Sequence, residues 1–68
     1  MRFAVVIEKA DGNYSAYVPD LPGCMATGAT VEAVEDEIRE AIRLHIEGLR
    51  ADGLDVPTPT SIAEYVET

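Results

Sequence analysis

Apolar and polar positions follow two different periods along this chain, and the change of period marks its elements. Residues 2–10, Arg-Phe-Ala-Val-Val-Ile-Glu-Lys-Ala, are rich in β-branched and aromatic side chains and stop at Asp11-Gly12. Asp-Gly between two such runs signals a hairpin, in which both central turn positions want positive φ. The returning strand is then Tyr14–Val18, with Ala10 facing Asn13, Ile7 facing Ala16 and Val5 facing Val18. One face of this ribbon collects Val5, Ile7, Ala16 and Val18, a coherent core face. The other carries Ala4, Val6 and Tyr17 and is not polar enough to be left simply in water.

Pro19-Asp20-Leu21-Pro22-Gly23 breaks the strand pattern, since two prolines fix φ and remove two ladder donors. Cys24 to Thr27 fits a short third strand closed by Gly28. Beyond it the period lengthens to that of a helix. Thr30 is the N-cap candidate and Gly53 the C′ residue of a helix running from Val31 to Asp52. Val31, Val34, Ile38, Ala41, Ile42, His45, Ile46 and Leu49 fall on one face of it. Glu32, Asp36, Glu40, Arg43, Glu47 and Arg50 fall opposite. Leu54 to Pro59 reads as an extended connector, and residues 61–67 as a last strand or, nearly as well, a short helix. The expected architecture is α+β, a small antiparallel sheet with one helix in the order β-β-β-α-β, forming a single domain over 1–68. One helix covers one face of such a sheet. The face of Ala4, Val6 and Tyr17 therefore points to self-association as a dimer or tetramer, or to another protein.

Length and composition narrow this further. A chain of 68 residues buries about 60% of its unfolded surface, so small domains of this kind usually lean on a disulfide, a metal or a partner. Cys24 is alone, which excludes an internal disulfide, and one His with one Cys does not make a metal cluster. A partner subunit is the supplement that is left. With 13 acidic and 5 basic residues the net charge is −8, which argues against direct contact with nucleic acid or an anionic membrane. No apolar run approaches the roughly 20 residues of a membrane span, and no signal-peptide pattern opens the chain. A reducing cytoplasm is the expected location.

Candidates for chemistry are few. His45 sits in the apolar stripe of the helix with no acidic orienter beside it, and Cys24 has no neighbouring cation to lower its pKa. The glycines form no phosphate-binding loop, and Tyr14, Tyr17 and Tyr65 lack the interleaved cations of a base-stacking surface. Neither catalysis, a cofactor nor a metal site is expected. Glu35, Asp36, Glu37 and Glu40 form an acidic cluster that is either a solvated helix start or a docking surface for a basic partner. The stiff loop at Val18–Cys24 is either a structural corner or a preformed recognition edge.

Tyr17-Val18-Pro19-Asp20-Leu21-Pro22-Gly23-Cys24, followed by Gly28 and Thr30 ahead of a helix, resembles the signature of the HicB-like antitoxins. Gly53 with Val56-Pro57 and Pro59 resembles that family's tail, and the likeness covers roughly residues 3 to 60. Ala33 stands where the family usually has Glu, which removes a capping partner and little else. The resemblance implies a partial ribonuclease-H-like or double-stranded-RNA-binding-like β-β-β-α-β domain. It also implies a non-enzymatic antitoxin that covers the catalytic face of a small basic HicA-like mRNA-interferase toxin. The residues expected at that contact are Tyr17, Pro19, Asp20, Leu21 and Pro22, with Glu35, Asp36 and Glu40 steering by charge. Many members carry a further DNA-binding domain, for which these 68 residues hold no counterpart, so operator binding is not expected. The alternative is an orphan oligomeric module of the same family whose partner is not a toxin.

Overall fold

The computed structural model describes residues 1–68. Three strands, β1 (Val6–Ala10), β2 (Asn13–Tyr17) and β3 (Met25–Gly28), precede one helix, α1 (Val31–Ala51). The sheet is antiparallel in the order β1-β2-β3. Ala10 pairs with Asn13 and Ile7 with Ala16, the register that a two-residue Asp11-Gly12 loop requires. Only Gly12 takes positive φ, however, so the turn is not the mirror-image type in which both central residues do. The ladder begins at Val6 rather than at residue 2.

Alternation along the strands builds two unlike faces. Ile7, Ala16 and Ala26 align on the inner face, and the core gathers Ala16, Val18, Leu21, Cys24, Val34 and Ile38. Phe3, Val5, Ile7, Tyr14, Ala26, Ala41 and Ile42 pack around them. The helix starts where its cap allows: Thr30 Oγ1 accepts the Ala33 N–H at 3.0 Å. It ends in a Schellman motif, with the Leu54 N–H donating to the Leu49 carbonyl (2.9 Å) and the Gly53 N–H to that of Arg50 (3.1 Å). Gly53 supplies the left-handed conformation this needs, at φ +71°.

The helix lies over β2 and β3, closest at Gly28, whose missing Cβ would stand 2.6 Å from the Val34 nitrogen. The β1 side is less covered. There a hollow of about 330 Å³ opens between Val5 and Ile7 of the sheet side and Ile38 and Ile42 of the helix, with Glu35 and Arg39 at its rim. The molecule measures 16 Å through its thinnest direction, room for one helix on one sheet and no third layer.

Residues 61–67, expected as a last strand, form neither strand nor helix. They pair with no sheet edge, and so few residues cannot hold a helix unaided. Ile62, Tyr65 and Val66 are more than four-fifths exposed.

Candidate partner-binding surfaces

The loop between β2 and β3 is two β-turns hinged on one residue. The Leu21 N–H donates to the Val18 carbonyl (3.1 Å) and the Cys24 N–H to the Leu21 carbonyl (3.0 Å). The Val18 N–H closes the neck on the Cys24 carbonyl at 3.1 Å. Each turn has proline in its second position, Pro19 and then Pro22, where fixed φ suits it. Gly23, at φ +83°, completes the second as type II. The hinge points inward: Leu21 is fully buried, between Val18 and Cys24, which are buried too. Leu21 was expected at a partner contact; it is a core residue, because the two turns aim their common corner into the sheet–helix interior. Tyr17, Pro19 and Pro22 remain exposed around it. Burial pushes the Cys24 thiol up, which keeps it neutral and unreactive.

Asp20 also turns to the protein itself. Its carboxylate accepts the N–H groups of Thr60 (3.0 Å) and Ser61 (2.9 Å) together with their hydroxyls (3.2 and 2.9 Å). Four donors on one half-buried carboxylate make a clasp that ties the C-terminal connector to the loop. The Ser61 N–H, foremost, holds the Asp20 carboxyl below its ordinary value of 3.8. A carboxyl with a depressed folded pKa favours the closed form above its unfolded value and loses that contribution as pH falls through the folded one. The Thr60 and Ser61 amides should therefore stay protected from hydrogen exchange at neutral pH and lose protection as pH falls below about 3.8, ahead of the β1–β2 ladder. Simultaneous loss in both regions would contradict a separate clasp.

The acidic helix is partly compensated from within. Arg39 bonds Asp36 at 3.1 Å, and Arg43 bonds both Glu40 (Nε to Oε2, 3.0 Å) and Glu47 (2.7 Å). The Arg43 hydrogen bond lowers the Glu40 carboxyl, and the two carboxylates raise the Arg43 guanidinium. All five side chains are more than half exposed, where such pairs contribute at most about 1 kcal/mol each. Asp36 and Glu40, expected as steering charges, thus carry their own counter-ions. Glu32, Glu35 and Glu37, on the first two turns, have none. Glu32 and Glu37 have no cation at helical spacing, whereas Glu35 has Arg39 four residues on and loses it to Asp36.

The outer face of the sheet bears no helix. Val6, Tyr17 and Met25 stand side by side across the three strands, with Glu8, Ser15 and Thr27 in the next row. Tyr17 is 42% and Met25 68% exposed. A hollow of about 420 Å³ lies among Glu8, Ser15, Tyr17, Met25 and Thr27. Met25 was not foreseen there, although a buried Cys24 obliges the next strand residue to point outward. Ala4, half-buried, meets the C-terminal connector instead: Arg2, Phe3 and Ala4 face Ser61, Ile62 and Ala63 across a space of about 370 Å³. The structure thus separates two groups of expected residues, the glutamates of the helix and the open sheet face. Tyr17 borders both the proline loop and that face. No cluster of three metal-ligating side chains exists, and no helix is long and apolar enough to cross a membrane.

Known proteins resemble this chain over most of its length. The model of the HicB_like antitoxin of bacterial toxin-antitoxin systems matches residues 3–68. Among solved structures, a chain of the HicA3 and HicB3 toxin-antitoxin complex superposes with a TM-score of 0.76 at 30% identity, over 88% of this chain and 70% of that one. An uncharacterized 14.9 kDa protein from the rep-hol intergenic region of Haemophilus phage HP1 is 36% identical over 66 residues, 97% of this chain. The chain spans half the length of that phage protein. A UPF0150 protein of Thermoplasma acidophilum is 41% identical over 58 residues, 84% of either chain.

Proposed function

The chain belongs to the HicB-like antitoxin family, and from that premise we propose that it binds and neutralises a small basic HicA-like toxin by protein contact, without catalysis of its own. The observation that carries this reading is its likeness, at 30% identity, to a chain from a solved toxin–antitoxin complex. Charge supports it: −8 overall, with Glu32, Glu35 and Glu37 unpaired on the exposed start of α1, suits a basic surface. Tyr17, Pro19 and Pro22 form the rigid edge that would meet the toxin, set in place by two turns and so ordered before binding. Asp20 and Leu21 serve that edge from behind. Neutralisation of an mRNA interferase would take place in the cytoplasm.

Co-expression with a HicA-like toxin tests this directly: the chain should restore growth, and continued toxicity at matched expression would defeat the reading. The triple variant Glu32→Lys, Glu35→Lys, Glu37→Lys should bind the toxin about a hundredfold more weakly at low salt, with a smaller difference at high salt. Unchanged binding would remove the acidic helix from the interface.

A second reading, an oligomeric module with a non-toxin partner, draws on the Val6–Tyr17–Met25 row. That uncovered apolar row supports a homodimer or tetramer through Val6 and Tyr17, with Met25 taking the place expected of Ala4, and this self-association is compatible with either reading.

A further inference from the structure

The tripeptide Ala-Asp-Gly occurs twice in the chain, as Ala10-Asp11-Gly12 at the β1–β2 turn and as Ala51-Asp52-Gly53 at the end of α1. Both copies are exposed. In an Asp-Gly pair the side-chain carboxyl and the next main-chain nitrogen meet freely, since glycine has no Cβ to crowd that nitrogen. Asp20, Asp36 and Asp55 precede Leu21, Glu37 and Val56, whose side chains do crowd it.

The fold treats the two copies differently. At the helix end the Gly53 N–H donates to the Arg50 carbonyl (3.1 Å). The Asp52 N–H on Gly48 (3.1 Å) and the Leu54 N–H on Leu49 (2.9 Å) flank it. Turning the Gly53 nitrogen toward the Asp52 carboxyl therefore breaks the Schellman motif. In the hairpin, Asp11 and Gly12 are the central residues of the turn, with negative φ at the first and +76° at the second, a type II arrangement. The peptide unit between them is bonded to the backbone through neither its carbonyl nor its N–H. It can rotate while the Ala10–Asn13 pair stays closed. The Asp11 carboxylate is in no ion pair that would hold it away. Attack geometry is thus reached at Asp11 without loss of a backbone hydrogen bond, and at Asp52 only by local opening.

We propose that Asp11-Gly12 is a site of spontaneous succinimide formation and conversion to isoaspartate, and that the fold spares the identical tripeptide at Asp52. The Gly12 nitrogen attacks Asp11 Cγ and forms a C–N bond. A carboxyl oxygen leaves as water, with the amide proton and one proton from solvent. Water then adds to one of the two imide carbonyls. Opening at Cγ restores aspartate. Opening at the main-chain carbonyl breaks its bond to the Gly12 nitrogen, frees it as an α-carboxylate with release of a proton, and routes the chain through Cβ. Nothing is oxidised or reduced, and the mass returns to its starting value. The product has one extra backbone carbon in the loop whose length sets the β1–β2 register. Its α-carboxylate is the group that L-isoaspartyl carboxyl methyltransferases esterify.

The test ages the full chain at physiological temperature and pH. Tryptic cleavage places Asp11 on peptide 10–39 and Asp52 on peptide 51–68. Isoaspartate is read on each by methyl transfer from labelled S-adenosylmethionine with an isoaspartyl methyltransferase, and located by fragmentation. It should accumulate about tenfold faster at Asp11 than at Asp52, the protection given by hydrogen bonds that only Asp52 must break. In urea the two copies should react at similar rates, since they share a tripeptide. Asp11→Glu should abolish the signal on peptide 10–39, because glutamate must close a six-membered ring, and leave that at Asp52 unchanged. In the isolated isoaspartate form the Asn13 amide should exchange faster while the amides of α1 keep their protection. Equal rates in the folded chain, or the same preference for Asp11 in urea, would overturn the selectivity assigned to the fold. Absence of isoaspartate at Asp11 in the folded chain would overturn the site itself.

Discussion

Leu21→Ala should lower the unfolding free energy by about 3 kcal/mol, the usual cost of emptying a fully buried leucine site. A chain of 68 residues has a total of only about 3 to 10 kcal/mol to lose. The effect is therefore of the order of the margin itself, and the melting temperature by circular dichroism should fall by 12 °C or more at about 4 °C per kcal/mol. Collapse around the cavity is hindered. The backbone of Leu21 is pinned by its own N–H on Val18 and its carbonyl on Cys24, with a proline in each flanking turn. Leu21→Met, of similar volume, should cost less than about 1.5 kcal/mol. If Leu21→Ala melted within two or three degrees of the wild type, the hinge would not be a core residue in solution.

Gly28→Ala should be the most disruptive single methyl in the molecule. Its Cβ would stand 2.6 Å from the Val34 nitrogen, 2.9 Å from the Val34 Cα and 3.0 Å from the Ala33 carbonyl carbon, all backbone atoms of the first helical turn. No rotamer relieves that. Either α1 lifts from β3 or the strand bends, and overpacking of this kind costs about 1–3 kcal/mol, here toward the upper end because the obstacle is backbone. The problem is space rather than backbone conformation. Gly48, also in the helix, makes the contrast: a Cβ there meets nothing within 4 Å, so Gly48→Ala should stabilise by about 0.5–1 kcal/mol. Paired melting curves for the two variants check both signs, and a neutral Gly28→Ala would refute the close approach.

Local rules carried much of the fold into the sequence. Asp11-Gly12 announced the hairpin and its register, Thr30 and Gly53 marked the helix ends, and the apolar period of α1 named Val34 and Ile38, which are buried. Each of these depends on residues within a few positions of one another. The errors share the opposite property. The burial of Leu21 was not legible because a loop has no period to say which way a side chain points. The partners of Asp20 stand 40 and 41 residues away, and no local pattern reports such a contact. Residues 61–67 have the composition of an element, but composition does not supply a neighbour to pair with. For the candidate surfaces, net charge was legible and its distribution only partly so. Helical spacing offered Arg39 both Glu35 and Asp36, and Glu47 both Arg43 and Arg50; the choice of Asp36 and of Arg43 is made by the structure, which leaves Glu32, Glu35 and Glu37 without a counter-ion.

The helix lies on one side of the sheet, and the Val6–Tyr17–Met25 row on the other. An occupant of the helix and an occupant of the sheet face would meet only at Tyr17, which borders the proline loop. Two chains joined through their sheets would carry both acidic helices outward, and the pair would be bivalent. Against a target that itself presents two sites within reach, the second capture becomes intramolecular, and the apparent affinity rises without any new contact. A chain this small could then hold its target through modest individual interfaces, with the strength residing in the number of arms.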